Sequence, residues 1–157
     1  MPAATQHERH LVCPNPAATT ALGRALAVVA EPGDVVCMWG DLGAGKTHLA
    51  KAFGAGLGVT ETITSPSFIL MAEYEGRLPL FHIDLYRLAD ATDVLTGGLV
   101  DDRQAAGVTL VEWPDRMRAA LPAGRLDVVI DGSGDEPRRI TLRAVGDGPR
   151  RYLEAVR

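Results

Sequence analysis

The feature that most constrains the fold is a glycine-rich segment, Gly40–Thr47, which reads GDLGAGKT. It matches the pattern G-x-x-x-x-G-K-[ST] at every position. The apolar run DVVCMWG leads into it, and apolar residues at helical spacing follow it, at Leu49, Phe53 and Leu57. The sequence therefore predicts a buried strand, a phosphate-binding loop and a helix from about Lys46 to Leu57.

The glycines, the lysine and the threonine of this segment each suit a triphosphate. Glycines let the backbone wrap around an anion with several N–H groups directed at it, and the helix N-terminus adds partial positive charge. The Lys46 ammonium would contact the β- and γ-phosphates, and the Thr47 hydroxyl can bind Mg²⁺. We therefore predict nucleoside triphosphate binding by Asp41, Leu42, Gly43, Ala44, Gly45, Lys46 and Thr47.

Two acidic residues are candidates for the magnesium side of this site. LPLFHID ends in Asp84, and VTLVE ends in Glu112, each after an apolar run. Carboxylates at such strand ends meet the nucleotide crevice of a parallel sheet. The periodicity does not rank the two. The sequence contains neither N-K-x-D nor T-K-x-D, the usual guanine-reading patterns, which favours ATP over GTP.

The rest of the chain alternates between helical and extended patterns. NPAATTALGRALAVVAEPG predicts a helix with Asn15 as its cap and Pro16 in its first turn. SPSFILMAEYEGRLPLFHID predicts two extended segments around a turn at residues 75–77, and GVTLVEW predicts another buried strand. LADATDVLTGGLVDD predicts a short helix and a loop, DRMRAAL a short helix, and PRRYLEAVR a final helix.

RLDVVIDG and RRITLRAVG alternate in polarity across a short loop, which predicts an antiparallel pair at one edge of the sheet. Helices alternating with buried strands indicate an α/β fold. The prediction is a P-loop NTPase-like three-layer sandwich with a mixed, partly antiparallel sheet. Residues 1–157 are expected to form one domain, with flexible ends at residues 1–7 and the last few residues.

Composition narrows the class of protein. With 16 basic and 20 acidic residues the net charge is −4, which argues against broad, nonspecific nucleic-acid binding. Two isolated cysteines, Cys13 and Cys37, form neither a disulfide framework nor a zinc motif. The N-terminus lacks the apolar run of a signal peptide, and no apolar stretch is long enough to span a bilayer. We expect a cytoplasmic protein.

Four motifs in order give a specific resemblance: GDLGAGKTHLAKAFGAGLG, TSPSFILMAEY, HIDLYRL and VEWPDR. The chain resembles the TsaE (YjeE-type) family, small bacterial P-loop ATPases required for threonylcarbamoyladenosine modification of tRNA, from about Asn15 to Arg143. The resemblance implies Mg²⁺-dependent ATP hydrolysis that drives or resets a threonylcarbamoyl-transferase complex. The implied partners are the TsaD and TsaB subunits, with indirect tRNA contact, and slow turnover is expected for the isolated chain.

The resemblance also implies residue roles. Lys46 and Thr47 would hold phosphate and Mg²⁺, Glu112 would be the second acid on the metal side, and Asp84 would orient the attacking water. The segment 64–68, TSPSF, would be a switch-like loop that senses the γ-phosphate, with Ser67 in place of the commoner threonine. The adenine would lie between Asn15 and Thr19 on one side and residues 136–138 on the other, with Glu136 among its contacts, and Trp113 would lie beside the site.

Several residues keep a second interpretation. Trp113 can equally be a packing residue, and His82 in FHID is expected to be packed or hydrogen-bonded rather than catalytic. Arg87 could act as an arginine finger or pair with a carboxylate such as Asp84. The clustered arginines 138, 139, 150 and 151 are expected to form a solvated basic face. Two other functions stay open: a small P-loop kinase acting on a metabolite, and a non-hydrolysing nucleotide-gated adaptor.

Overall fold

The computed structural model describes residues 7–41, 43–64, 71–86, 102–115 and 121–156. Predictions that fall on residues 65–70, 87–101 and 116–120 lie outside these ranges. They include most of the predicted helix and loop after Arg87 and most of the helix in DRMRAAL. In chain order the elements are β1 (His7–Cys13), α1 (Pro16–Val28), β2 (Val35–Trp39), α2 (Lys46–Gly56), β3 (Met71–Tyr74), β4 (Leu80–Asp84), a 3₁₀ helix (Asp102–Ala106), β5 (Val108–Glu112), β6 (Arg125–Asp131), β7 (Arg138–Val145) and α3 (Arg151–Glu154).

All seven described strands belong to one sheet in the order β1-β7-β6-β2-β5-β4-β3. The central strands are parallel: β2 pairs with β5 and β6, and β4 pairs with β5. The pairs β1–β7, β6–β7 and β3–β4 are antiparallel. The predicted α/β class with a mixed sheet is confirmed. Because β2, β4 and β5 run in the same direction, the carboxyl ends of these three strands lie side by side at one end of the sheet.

The hairpin of β6 and β7 is antiparallel as predicted, but its predicted place at the edge of the sheet is wrong. β1 pairs with β7 along its whole length, from His7 opposite Ala144 to Cys13 opposite Arg138, and it is β1 that forms the edge. The sequence HERHLVC gives no strand signal, because its first four residues are polar. In the folded chain, Cys13 is the buried residue of this segment, and residues 7–12 stay at least partly exposed. Its strand conformation comes from pairing with a segment more than a hundred residues away in the chain.

Apolar side chains pack on both faces of the sheet, as a three-layer arrangement requires. On β2, Val36 and Met38 belong to the larger core cluster, which includes residues of α1, α2 and α3. Cys37, between them, points to the other face and packs with Ile83 and Val111 in a smaller cluster. Burial raises the pKa of the Cys37 thiol to about 12, in agreement with an inert core cysteine.

The first helix is built as predicted and packs tightly on the second. The Asn15 side chain caps α1 by accepting a hydrogen bond from the Ala18 N–H at 2.9 Å, and Pro16 occupies the first turn. Gly23 allows the two helices to approach closely, since a Cβ there would lie 2.6 Å from the Ala52 Cβ. This packing fixes the start of α1 beside the start of α2, where the glycine-rich loop ends.

The predicted final helix is the four-residue α3. Arg151 donates hydrogen bonds to the Val29 carbonyl and to Asp34, and the buried Tyr152 hydroxyl donates to the same Asp34 oxygen at 2.5 Å. These contacts attach the C-terminal helix to the connection between α1 and β2. None of the helices in the described part of the chain has the length and apolar character needed to cross a bilayer.

Candidate nucleotide-binding site

The glycine-rich loop lies between β2 and α2, as the motif predicts. Gly43 and Gly45 have positive φ angles of 85° and 105°, in the left-handed region that favours glycine. A Cβ built on either residue would meet no heavy atom within 4 Å, so the loop is open around both positions. The loop therefore has the backbone shape and the free space that close approach of a ligand requires. Leu42 lies outside the described residues.

Lys46 begins α2 and turns back over this loop. Only 5% of its surface is exposed. Its Nζ donates hydrogen bonds to the carbonyl oxygens of Gly40, at 2.5 Å, and Asp41, at 2.9 Å. Its ammonium group also lies 4.0 Å from the centre of the Trp113 ring, within the range of a cation–π contact. The positive charge is thus held inside the loop by neutral groups.

Burial lowers the pKa of Lys46, because removal from water disfavours the charged form. The carboxylates of Glu112, Asp115, Asp41 and Asp84 act in the opposite direction. A cation with little access to water attracts an anion more strongly than an exposed one, because screening is weaker. The surroundings of Lys46 therefore suit a phosphate group.

Glu112 connects the phosphate loop to the neighbouring strand. One of its carboxylate oxygens, Oε1, accepts a hydrogen bond from the Thr47 hydroxyl at 3.1 Å. The other, Oε2, lies 2.5 Å from Nε2 of His82. Glu112 and His82 are both buried, with 2% and 0% of their surfaces exposed. His82 is hydrogen-bonded inside the core, as the sequence analysis favours, and it fixes one side of the Glu112 carboxylate.

Asp84, the last residue of β4, lies beside Glu112, the last residue of β5. The two residues are directly opposite in the parallel pairing of β4 and β5. The side chain of Asp84 is half-buried, and its Oδ1 accepts a hydrogen bond from the Tyr86 N–H at 3.0 Å. The two acids that the sequence left unranked are therefore neighbours, and the Glu112 carboxylate contacts Thr47.

Trp113 follows Glu112 with a φ angle of 60°, the one positive value outside glycine among the described residues. Such a backbone costs about 1–3 kcal/mol and persists only where the surroundings impose it. The ring lies over Lys46 and packs against Tyr86, with ring centres 4.9 Å apart. It also packs against the smaller core cluster. Trp113 thus lies beside the site and has a packing role as well.

A pocket of about 350 Å³ adjoins the loop on the side of α1. The predicted adenine-side residues Asn15, Thr19 and Glu136 all line it, together with Ala44 and Gly45 of the phosphate loop. Its walls also include residues that the sequence analysis did not assign to the site: Cys13, Pro14, Pro16, His48, Gly134 and Asp135. Because Ala44 and Gly45 belong both to the loop and to the pocket wall, the pocket lies directly beside the phosphate loop.

His48 lines the pocket, although the sequence pattern predicts only a structural role for it. Its Nε2 lies 2.9 Å from the Thr20 hydroxyl and 3.2 Å from the Pro16 carbonyl, which joins α2 to the start of α1. Its position directly after Thr47 was visible in the sequence, but the proximity of α1 was not. Two predicted site residues, Leu42 and Ser67, lie outside the described residues. So does Arg87, for which the sequence left an arginine finger and an ion pair equally open.

The oxygen donors at the loop fit a divalent cation. Mg²⁺ in nucleotide sites takes a hydroxyl or one or two carboxylates, with phosphate and water oxygens completing its shell. The Thr47 hydroxyl, the Glu112 carboxylate and the adjacent Asp84 carboxylate are donors of this kind. The described residues contain no group of three His, Cys, Asp or Glu side chains placed to hold a metal ion by themselves.

The family model described as "Threonylcarbamoyl adenosine biosynthesis protein TsaE" matches residues 13–140. The chain belongs to the TsaE family. A TsaE protein of Bacillus subtilis strain 168, described as a tRNA threonylcarbamoyladenosine biosynthesis protein, is 46% identical over 134 residues, covering 85% of this chain and 84% of that protein. The TsaE protein of Treponema pallidum strain Nichols is 41% identical over 123 residues, covering 78% and 88%.

A solved structure of similar fold is also known. The crystal structure of YdiB from Bacillus subtilis matches with a TM-score of 0.73 and 37% sequence identity, covering 99% of this chain and 94% of that one. The matched family region contains the phosphate loop, both strand-end acids and the whole lining of the pocket. Thus the TsaE assignment and the candidate site concern the same part of the molecule.

Proposed function

We propose that this chain is an Mg²⁺-dependent ATPase that serves N6-threonylcarbamoyladenosine modification of tRNA in the cytoplasm. In this proposal it drives or resets a threonylcarbamoyl-transferase complex containing TsaD and TsaB subunits, and its contact with tRNA is indirect. The relatives are described as tRNA threonylcarbamoyladenosine biosynthesis proteins, which supports a role for this chain in that process. Residues 1–157 would act as a single domain, because strands from both ends of the chain join the sheet that carries the loop.

The observation that carries the ATPase proposal is the Lys46–Thr47–Glu112 arrangement. A buried ammonium group, a hydroxyl and a buried carboxylate converge at the open glycine loop. The ammonium and the loop N–H groups suit a triphosphate, and the hydroxyl with the carboxylate suits a cation bound to it. ATP is preferred to GTP because the sequence has no guanine-reading motif.

The proposed roles follow from these positions. Lys46 would exchange its contacts with the Gly40 and Asp41 carbonyls for phosphate oxygens, and Thr47 and Glu112 would hold Mg²⁺. An ion held there would supply positive charge that offsets the negative charge of the triphosphate. Asp84, half-buried beside Glu112, orients the water that attacks the γ-phosphate. Catalysis then depends on charge stabilisation and positioning of the reactants.

The base end of the nucleotide is proposed to occupy the adjoining pocket, between Asn15 and Thr19 on one wall and Glu136 on the other. Among the described residues the pocket shows apolar and polar lining of the kind that purine sites use. The segment 64–68, with Ser67, would sense the γ-phosphate and change affinity for the partner subunits. Hydrolysis would then reset the chain.

The test is phosphate release from ATP by the chain assembled with TsaD and TsaB. The variants are Asp84→Asn and Glu112→Gln, and the matched control is Asp131→Asn, which changes an exposed acid at the end of β6. We expect each site variant to lower kcat by about 100-fold or more, and EDTA to abolish turnover of the unmodified chain. The control should retain its turnover.

Unchanged turnover in both site variants would contradict the hydrolytic role. The other two functions have their own signatures in the same assay. Transfer of labelled phosphate to a small molecule instead of water would indicate a kinase. ATP binding with no phosphate release, even in the full complex, would indicate a nucleotide-gated adaptor.

A further inference from the structure

The side chain of Arg138, the first residue of β7, joins two loops that are far apart in the chain. On one side its Nε donates a hydrogen bond to the carbonyl oxygen of Ala44, in the phosphate loop, at 2.8 Å. On the other side its Nη1 donates to the Glu136 carbonyl at 2.5 Å, and its Nη2 donates to the Gly134 carbonyl at 3.1 Å. One guanidinium group therefore holds the phosphate loop and the β6–β7 turn together.

These two loops form walls of the pocket next to the phosphate loop. Ala44 lies on the phosphate side, and Gly134 and Glu136 lie on the wall that the β6–β7 turn provides. Within the turn, two contacts fix its own shape: Ser133 Oγ donates to Glu136 Oε1, and the Glu136 N–H donates to the Ser133 carbonyl. Among the described residues, the Arg138 guanidinium bonds to both this turn and the phosphate loop, so it helps to fix the position of the turn against the loop.

The chemistry of the guanidinium group explains why an arginine suits this place. It is planar, and its donors point in fixed directions, so that it can bind carbonyl groups on two sides at once. A lysine ammonium in the same place would supply the charge but not the fixed fork. The contacts of Arg138 are with backbone carbonyls in both loops, so they hold whatever side chains those loops carry.

We propose that Arg138 is a positioning residue that holds the β6–β7 turn against the phosphate loop and so sets how much the nucleoside adds to the binding of its triphosphate. This inference rests on the proposed function, in which the triphosphate occupies the loop and the base occupies the pocket. A wall that is already in place binds the base without an ordering cost, whereas a loose wall must be ordered by the ligand. Arg138, which also lines the pocket itself, therefore acts on nucleoside recognition by holding the turn in place.

The experiment compares ATP with inorganic tripolyphosphate, both with Mg²⁺, by equilibrium binding to the full chain. The quantity measured is the ratio of the tripolyphosphate Kd to the ATP Kd. Both ligands carry three linked phosphates, but tripolyphosphate has one more ionisable oxygen, so Arg139→Ala and Arg138→Lys control for the general effect of charge. Arg138→Ala should lower this ratio by about tenfold, the size expected when charge-assisted hydrogen bonds are lost. Arg139→Ala, at the exposed neighbouring arginine, should leave it unchanged.

Arg138→Lys separates charge from geometry. It keeps the positive charge but not the fork, so the ratio of the two Kd values should fall here too. If Arg138→Ala does not fold, the ratio measured for Arg138→Lys tests the proposal instead. An equal loss of affinity for both ligands, with the ratio unchanged, would overturn the positioning role. If the unmodified chain binds neither ligand, the proposed function itself fails, and that result is recognised without any variant.

Discussion

Lys46 and Glu112 are charged residues with only 5% and 2% of their surfaces exposed. Buried charges are costly unless they are paired or hydrogen-bonded, so their neighbours decide whether the site is stable. Glu112 has hydrogen-bonding contacts on both oxygens, with Thr47 and with His82. The His82 contact is therefore part of what orients this carboxylate toward α2.

His82→Phe should destabilise the protein by about 2–3 kcal/mol, because it leaves one oxygen of a buried carboxylate without its partner. The measurement is the free energy of unfolding by denaturant at neutral pH. The double variant His82→Phe/Glu112→Gln should recover part of this loss, since the second change removes the charge. His10→Phe, at an exposed position of β1, is the control. Strictly additive effects of the two substitutions would contradict a direct interaction between His82 and Glu112.

The sequence predicted the position of both strand-end acids but not the contact between His82 and Glu112. The local pattern places His82 and Asp84 on the same face of β4, because they are two residues apart. The contact with Glu112 also requires that Asp84 lie opposite Glu112 in the β4–β5 pairing. That register depends on how two distant segments align, and no local pattern in one sequence encodes it.

At the scale of elements, the unit of β2, loop and α2 was predictable because its signals are local. The apolar run, the glycines and the helical spacing of Leu49, Phe53 and Leu57 all lie within consecutive residues. The packing of α1 on α2 was less accessible, although α1 itself was predicted with its Asn15 cap. The close approach at Gly23 becomes visible only when Ala52 of the other helix is placed against it.

Gly23→Ala tests this helix packing. Alanine is the better helix former by about 1 kcal/mol, so an unobstructed position would gain stability. Here the new Cβ would lie 2.6 Å from the Ala52 Cβ and 3.0 Å from the Phe53 backbone nitrogen, so we expect a loss of about 1–3 kcal/mol in unfolding free energy. Ala21→Gly, at an exposed position of α1, measures the helix-propensity difference alone. A gain of stability in Gly23→Ala would show that the helices are not so close.

At the scale of the whole molecule, both ends of the described chain pack against elements that are distant in the sequence. β1 pairs with β7 at one edge of the sheet, and α3 is attached to Asp34 through Arg151 and Tyr152. The sequence predicted the final helix, but not β1 or the edge position that β1 takes. Both β1 and the contact of Arg138 with Ala44 join parts of the chain about a hundred residues apart, and such contacts leave no periodic signal.

The attachment of α3 predicts a dependence of stability on pH. Burial raises the pKa of Tyr152, and its hydrogen bond to Asp34 acts in the same direction. The folded state therefore keeps the phenolic proton at a pH where the unfolded chain, with a tyrosine pKa of 10.0, loses it. This contribution to stability is complete below pH 10 and is lost as the pH rises toward the folded-state pKa.

The contribution of the Tyr152 phenol to stability is tested by unfolding free energies measured from pH 8 to pH 11 at about 25 °C. The stability advantage of the unmodified chain over Tyr152→Phe should shrink above pH 10. Tyr86→Phe, at a residue whose surface is 45% exposed, serves as the comparison and should show no such trend. A constant difference between the unmodified chain and Tyr152→Phe across this range would contradict the link between the phenol and Asp34.

The central claim is that the open glycine loop with Lys46 binds the triphosphate of ATP together with Mg²⁺. The most direct measurement is a calorimetric titration of Mg·ATP into the unmodified chain and into Lys46→Ala. It is run at two temperatures, so that a binding enthalpy near zero at one is seen at the other. We expect saturable heat with one site in the unmodified chain and a loss of affinity of about 100-fold or more in Lys46→Ala. No heat at either temperature, or equal affinity in the two proteins, would contradict it.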